Sequence, residues 1–268
     1  MYELRKLTPD ERSSPLVSLL DIPDPEVDLT AFDQPLAGIE GFWPITPDDF
    51  LDTEERAKNG WCMLNNGVGY LAVEQKLPGV SEEMLQWMFA WQGLDPLNYT
   101  VLWPAAHHSA AVSDVDRQKI RNPMVSMEHK CQGITVFTVE DSPIGLQDNI
   151  TIYLSPEKMG LTARKYYAKP FRIIGGSFIR QLRTELNPGK KWVGIVTHAV
   201  TPNKTGVRVQ THIWIGCRLL RGAVKRLDKV SLQPTPDFTK MLAQCTAREW
   251  TAIAKSLPSA YAMMNGKL

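Results

Sequence analysis

One segment near the C-terminus constrains this chain more than any other. From Asp237 to Leu257 the apolar residues Phe238, Met241, Leu242, Cys245, Ile253 and Leu257 recur at spacings of three and four, which marks one buried stripe on an amphipathic helix. Thr235-Pro236-Asp237 opens it with a cap, a proline suited to the first helical position and an acid beside the positive end of the dipole. Glu249 interrupts the stripe, one turn after Cys245. A carboxylate taken out of water costs several kcal/mol unless it is paired, protonated or bound to a cation. Side chains four apart share a helix face, so Cys245 and Glu249 suit joint binding of one ion. The plainer alternative is a glutamate satisfied by an arginine or backbone donors, beside a cysteine that is a small core hydrophobe.

Strand signals fill the middle of the chain. Ile134–Val139, Ile150–Leu154, Phe171–Ile174, Trp192–Val200 and Val207–Cys217 are rich in β-branched and aromatic residues and are separated by Gly, Pro and Asn. The last two are joined by Thr201-Pro202-Asn203-Lys204-Thr205-Gly206 and read as an antiparallel hairpin. A second hairpin is expected from Trp61 to Val73, turning at Asn65-Asn66-Gly67. Ser81 is placed to cap a helix over about 82–92 that carries Met84, Trp87, Met88 and Trp91 on one face. Trp87, Phe89 and Trp91 read first as core, with one face available to stack on an aromatic ligand. Antiparallel strands followed by one long terminal helix describe an α+β architecture in which a curved sheet grips the helix, leaving between them a pocket into which Glu249 points. Residues 1–60, rich in proline and acid with no sustained period, read as an extended arm or small accessory region ahead of a domain over 61–268.

The formal charge of +1 on 268 residues gives no basic surplus for nucleic acid, and no apolar run is long enough to span a membrane. The start, Met1-Tyr2-Glu3, has no apolar leader, so the default expectation is cytoplasmic. The expected partner is a small-molecule aromatic or polyketide substrate, with a homo-oligomer also compatible with this composition. Cys62, Cys131, Cys217 and Cys245 are too scattered for a zinc ribbon or disulfide scaffold and read as reduced thiols. Partners for Glu249 are sought in His107 and His108 of NYTVLWPAAHHSAA and in Glu140 of GITVFTVEDSPIG. One imidazole, two carboxylates and a thiolate suit Zn2+, although the spacing alone does not single them out.

The stretch LPGVSEEMLQWMFAWQGLDPLNYTVLWPAAHHSA at 77–110 resembles the 2,4-diacetylphloroglucinol hydrolase family, which includes phloretin hydrolase. The likeness continues through VEDSPIG at 139–145, YLSPEKMG at 153–160, Trp214-Ile215-Gly216 and CTAREWTAIAKSLPSAY at 245–261. It implies a helix-grip (Bet v 1-like) fold with a zinc site that hydrolyses the carbon–carbon bond between an acyl group and a polyhydroxylated aromatic ring, by metal-activated water attack on the ketone. The implied metal ligands are His107, preferred to His108 by its interval from Tyr99 and Pro104, with Glu140, Glu249 and the position now held by Cys245. The family has histidine where this chain has Cys245, and a thiolate there leaves zinc a weaker Lewis acid. Tyr99 and His198 match positions near the substrate, as candidates to orient the phenol and deliver a proton, and His212 is a weaker third. Two other classes share the architecture: a metal-free cyclase or isomerase acting on a polyketide or terpenoid, and a binding module without chemistry.

Overall fold

In a computed structural model the described residues are 6–37, 41–56, 59–183, 191–220, 222–227 and 232–268. The expectation for Met1-Tyr2-Glu3, and those parts of the arm at residues 4–5, 38–40 and 57–58, lie outside them.

Eight antiparallel strands form one sheet: β1 (Asn59–Met63), β2 (Gly69–Pro78), β3 (His107–Val112), β4 (Thr135–Ser142), β5 (Gly145–Leu154), β6 (Arg172–Leu182), β7 (Lys191–Asn203) and β8 (Gly206–Ile215). Their spatial order is β1-β2-β8-β7-β6-β5-β4-β3. A small ribbon, β9 (Cys217–Leu220) with β10 (Ala223–Arg226), follows. Both expected hairpins form. In the first, Gly67 adopts a positive φ of 79° and the Asn66 side chain accepts from the Val68 amide at 3.1 Å, the turn chemistry that Asn-Gly favours. In the second, Asn203 pairs with Gly206.

The terminal helix runs from Pro236 to Met263, with the Thr235 hydroxyl accepting from the Phe238 amide as the sequence implies. It packs on β1 and β2 and also faces residues of β4 through β8 across a cavity, so the sheet wraps it. This is the helix-grip arrangement of an α+β fold. The close approach of β5 to β6 depends on glycine: a Cβ at Gly176 would collide with the Ile152 carbonyl of β5.

The sheet separates two cores. Between sheet and terminal helix lie Trp87, Phe89, Trp91, Val209, Ile213, Trp250 and Ile253, joined by Leu16, Leu19 and Phe32 of the arm. On the outer face Tyr70, Ala72, Ile195 and Trp214 pack against Phe42, Phe50 and Leu51 of the arm and against Tyr166 and Phe171. The arm therefore covers both sides of the sheet. It is anchored by polar contacts as well: Trp103 Nε1 donates to Asp24 at 2.7 Å and Trp214 Nε1 to the Phe42 carbonyl at 2.6 Å. The helix Glu82–Trp91 buries Leu85 and Phe89 in addition to Trp87, Met88 and Trp91, so it is a core helix rather than a one-faced one.

Three expectations need correction. β6 continues to Leu182, well past Ile174, because Gly175 and Gly176 stay paired with both neighbouring strands, where a Cβ would meet the Val196 and Ile152 carbonyls. His107–Val112 is a strand that the sequence reading left unassigned, since a bulge between His107 and Ser109 breaks its alternation. Cys217 lies beyond β8, after Gly216 at a φ of 95°, and begins the β9–β10 ribbon.

Candidate active site

The bulge in β3 is the first determinant of the site. His108 is the residue without a cross-strand partner there, and His107 is left directly opposite Glu140 of β4. The two histidines consequently face different surroundings. His107, 1% exposed, turns toward Glu249, whereas His108 borders a separate, mostly apolar hollow with Leu7, Leu20 and Ile22 of the arm. His108 has its pKa lowered by burial.

His107 is held from three sides. Its Nδ1 lies 3.1 Å from the Tyr99 carbonyl oxygen, the Tyr99 ring stacks on it at 3.7 Å and 6°, and Trp103 meets it edge-on at 5.6 Å. A carbonyl only accepts, so Nδ1 carries the hydrogen and Nε2 is left with its lone pair. That buried Nε2 has no hydrogen-bond partner. Glu249 Oε1 stands 3.5 Å from it. A lone pair facing a carboxylate is repulsive, so the geometry calls for a cation between them, either a proton on the ring or a metal ion.

Glu140 is the second acid. Its Oε1 accepts from the Tyr99 hydroxyl at 2.7 Å and from Thr138 at 3.1 Å, and its Oε2 accepts from Arg180 at 3.1 Å. Burial pushes the Glu140 carboxyl upward, but Arg180, His107 and the Tyr99 hydrogen bond outweigh it and hold the group well below the ordinary carboxylate range. Burial, then Glu140, drives the Tyr99 phenol well above its usual value, so it stays protonated. Arg180 also donates to Gln147 at 3.2 Å.

Cys245 is 6% exposed, on the face of the terminal helix nearest Ser142, Arg180 and Glu140. Burial raises its thiol to about 11, so without a cation it is neutral. Glu249 is less buried than its place in the apolar stripe suggests: its side chain is 32% exposed, because the stripe opens there onto a cavity. Among the described residues no three His, Cys, Asp or Glu side chains converge closely enough to form a ligand cage; within the expected four, the direct contact is His107 with Glu249.

The cavity is lined at its polar end by Tyr99, Glu140, Arg180 and Glu249, and elsewhere by Phe89, Tyr153, Phe178, His198, Trp250 and aliphatic residues. His198 belongs to it. Burial lowers its pKa to about 3, which keeps the imidazole uncharged. His212 does not belong, and its candidacy as a catalytic residue is corrected here. His198 pairs with Thr211 across the hairpin, so His212 points to the opposite face of the sheet, where its Nδ1 meets the Tyr70 hydroxyl at 2.9 Å and its ring stacks with Trp214. It shares the side of Trp214, as alternation requires, but that side is the outer core.

Arg180, Thr211 and Trp250 are site residues that the sequence reading missed. For Arg180 a signal existed: it follows Phe178 at the spacing of two that keeps residues on one face of a strand.

A sheet closed over a helix, with two acids, the His198 imidazole and aromatic walls turned into the space between, defines a pocket of the kind that takes a small molecule. The chain belongs to the DAPG hydrolase PhiG domain family, whose profile matches residues 47–262. It is 24% identical over 232 residues to phloretin hydrolase of Eubacterium ramulus, covering 82% of this chain and 81% of that one. It is 23% identical over 178 residues to 2,4-diacetylphloroglucinol hydrolase of Pseudomonas protegens, covering 66% of this chain and 55% of that protein. Among solved structures it is similar to an uncharacterized protein of Rhizobium leguminosarum (10% identity, TM-score 0.40, 72% of this chain and 95% of the other). It is also similar to the Zhui aromatase/cyclase of Streptomyces (13% identity, TM-score 0.35, 74% and 99%). No helix among the described residues is long and apolar enough to cross a membrane.

Proposed function

We propose that this protein hydrolyses the carbon–carbon bond between an acyl group and a polyhydroxylated aromatic ring, taking an acylphloroglucinol-type ketone as substrate. The observation that carries this reading is the buried, unpartnered His107 Nε2 aimed at Glu249 and placed opposite the cross-strand acid Glu140, the two acids bordering a pocket with aromatic walls. Membership of a family whose relatives are named for hydrolysis of phloretin and 2,4-diacetylphloroglucinol supports the choice of substrate class.

In this reading His107, Glu140, Cys245 and Glu249 would hold a divalent metal once drawn together from the arrangement in which His107 and Glu249 alone are in direct contact, the imidazole through the orphaned Nε2 and the thiol by giving up its proton. When bound, such an ion supplies Lewis-acid polarisation of the ketone.

The remaining roles follow from the side chains themselves. Tyr99 fixes the plane of His107 and, through its hydroxyl, the orientation of Glu140. Arg180 balances the Glu140 charge at the polar end of the cavity. Phe89, Phe178 and Trp250 offer faces and edges to an aromatic ring and exclude bulk water. Overall, water adds its oxygen to the acyl carbon, the acyl–aryl bond breaks with its electron pair going to the ring carbon, and that carbon takes a proton. The attacking water gives up the proton that the ring carbon takes, while Tyr99, held protonated by burial and by Glu140, keeps its own. Met88, the most adaptable of the wall side chains, gives an entering ring room to fit.

Incubation of the full chain with phloretin and with 2,4-diacetylphloroglucinol, with the free carboxylic acid followed by mass spectrometry, tests the reading. Release of acid supports it, and intact ketone in both metal-supplemented and untreated protein counts against it. The Arg180–Glu140 ion pair favours one second reading, a metal-free acid–base enzyme of the same fold in which the guanidinium is the resident cation. Metal content of the purified protein separates the two.

A further inference from the structure

Trp250, Thr211 and His198 form a chain of hydrogen bonds that runs from the terminal helix through β8 to β7 and ends in the cavity. Trp250 Nε1 donates to Thr211 Oγ1 at 2.8 Å, and Thr211 Oγ1 lies 2.8 Å from His198 Nδ1. An indole N–H can only donate, which fixes the direction of the first bond. The Thr211 hydroxyl is fully buried and has one hydrogen to place. Among the described residues His198 Nδ1 is the acceptor available to it. The opposite arrangement, Nδ1–H donating to Thr211, would give Oγ1 two donors and leave its own hydrogen buried without an acceptor. That cost is enough to bias the tautomers by about tenfold or more.

We propose that Trp250 and Thr211 lock His198 as the Nε2–H tautomer, so that it presents a neutral hydrogen-bond donor to an oxygen on the ring of the bound substrate. The His198 ring lines the cavity with Nδ1 already engaged, so Nε2 is the nitrogen that meets a ligand. Phe89 at 5.4 Å and Trp250 edge-on at 5.4 Å hold its plane. The role follows from the chemistry of the leaving ring. When the acyl–aryl bond breaks, the electron pair spreads onto the ring oxygens, and a fixed N–H aimed at one of them strengthens its hydrogen bond as that charge grows. Burial keeps the imidazole uncharged, which suits a donor that gives a hydrogen bond and retains its proton. His198 thus acts on the phenol oxygen, and the ring carbon receives its proton from another group. Thr211 and Trp250 are positioning residues that act through His198. The identity of the oxygen rests on the hydrolase reading; the tautomer does not.

The test is long-range proton–nitrogen correlation NMR on the full chain labelled with 15N-histidine, the His198 signals being assigned by their loss in His198→Gln. The expected spectrum at neutral pH shows a protonated Nε2 and an unprotonated Nδ1. A protonated Nδ1, or an even mixture, overturns the proposal, and this wild-type spectrum decides even where a variant fails to fold. Thr211→Val is expected to lose the bias and to lower kcat/KM for an acylphloroglucinol about tenfold, with Thr211→Ser restoring both. A purely structural role for Thr211 would leave the tautomer unmoved in Thr211→Val. Should the wild type show the Nε2–H form yet cleave no acylphloroglucinol, the lock stands and the hydrolase reading fails.

Discussion

His107 Nε2 and Glu249 Oε1 lie 3.5 Å apart, the first on β3 and the second on the terminal helix, with no hydrogen bond between them. Because Nδ1 is committed to the Tyr99 carbonyl, the two groups facing each other are a lone pair and a carboxylate. A cation between them satisfies both. Metal analysis by mass spectrometry on protein purified without chelator is expected to find close to one equivalent of zinc or a similar ion. Glu249→Gln keeps the shape and removes the charge, and its metal content is expected to fall below about a tenth of an equivalent with circular dichroism unchanged. Unchanged metal in that variant removes Glu249 from the set of ligands.

Cys245 stands at the position where the family resemblance implies a histidine ligand. A neutral imidazole leaves the ion more electrophilic than a thiolate does. Cys245→His is therefore expected to raise kcat about tenfold at neutral pH, whereas Cys245→Ala lowers metal retention. A Cys245→His variant slower than wild type at equal metal content would show that the thiol is preferred by this site.

Arg180 and Glu140 are mostly buried, at 18% and 12% exposure, and separated by 3.1 Å. Removing one partner of such a pair leaves an uncompensated charge, so Arg180→Leu is expected to lower stability by about 3 kcal/mol in urea unfolding. Added zinc should recover part of that loss, since the ion takes over as counter-charge. A loss below about 1 kcal/mol would mean that Glu140 is adequately solvated from the cavity.

Acid should destabilise the fold through its neutral imidazoles. His198 and His212 titrate near 3 in the folded chain against an ordinary 6.5. Between those limits the unfolded chain binds protons that the folded chain refuses, so stability is full above about 6.5 and falls as pH falls, by at most about 1.4 kcal/mol per pH unit for each ring. Glu140, whose folded carboxyl is held low, adds a loss of the same sign below 4.5. The urea midpoint is expected to be lower at pH 5 than at pH 7. An unchanged midpoint contradicts the burial of these rings as neutral groups.

Much of the architecture was legible in the sequence. The cap at Thr235, the Asn66-Gly67 turn and the β7–β8 hairpin were each written in local chemistry, and each forms. Glu249 was conspicuous because it broke a periodic stripe. Residues whose roles depend on register were harder to read. His198 and His212 sit in one hairpin, and the pairing of His198 with Thr211 puts them on opposite faces; deducing that beforehand requires the turn register, which one residue of slippage inverts. Hence His212→Gln, which can keep a bond to Tyr70, is expected to leave kcat/KM within about twofold of wild type, in contrast to changes at His198. β3 escaped notice because its bulge at His108 spoils the alternation, and Arg180 because Gly175-Gly176 looked like the end of a strand. In β3 the bulge that hid the strand is also what leaves His107 opposite Glu140.

The most direct test of the account is hydrolysis itself, measured on the wild-type chain with its native metal content. With 2,4-diacetylphloroglucinol or phloretin, appearance of the free acid together with the deacylated ring, abolished in His107→Ala and Glu249→Gln, is the predicted result. Binding of these ketones without any acid release, in protein shown to carry a full equivalent of metal, would contradict it.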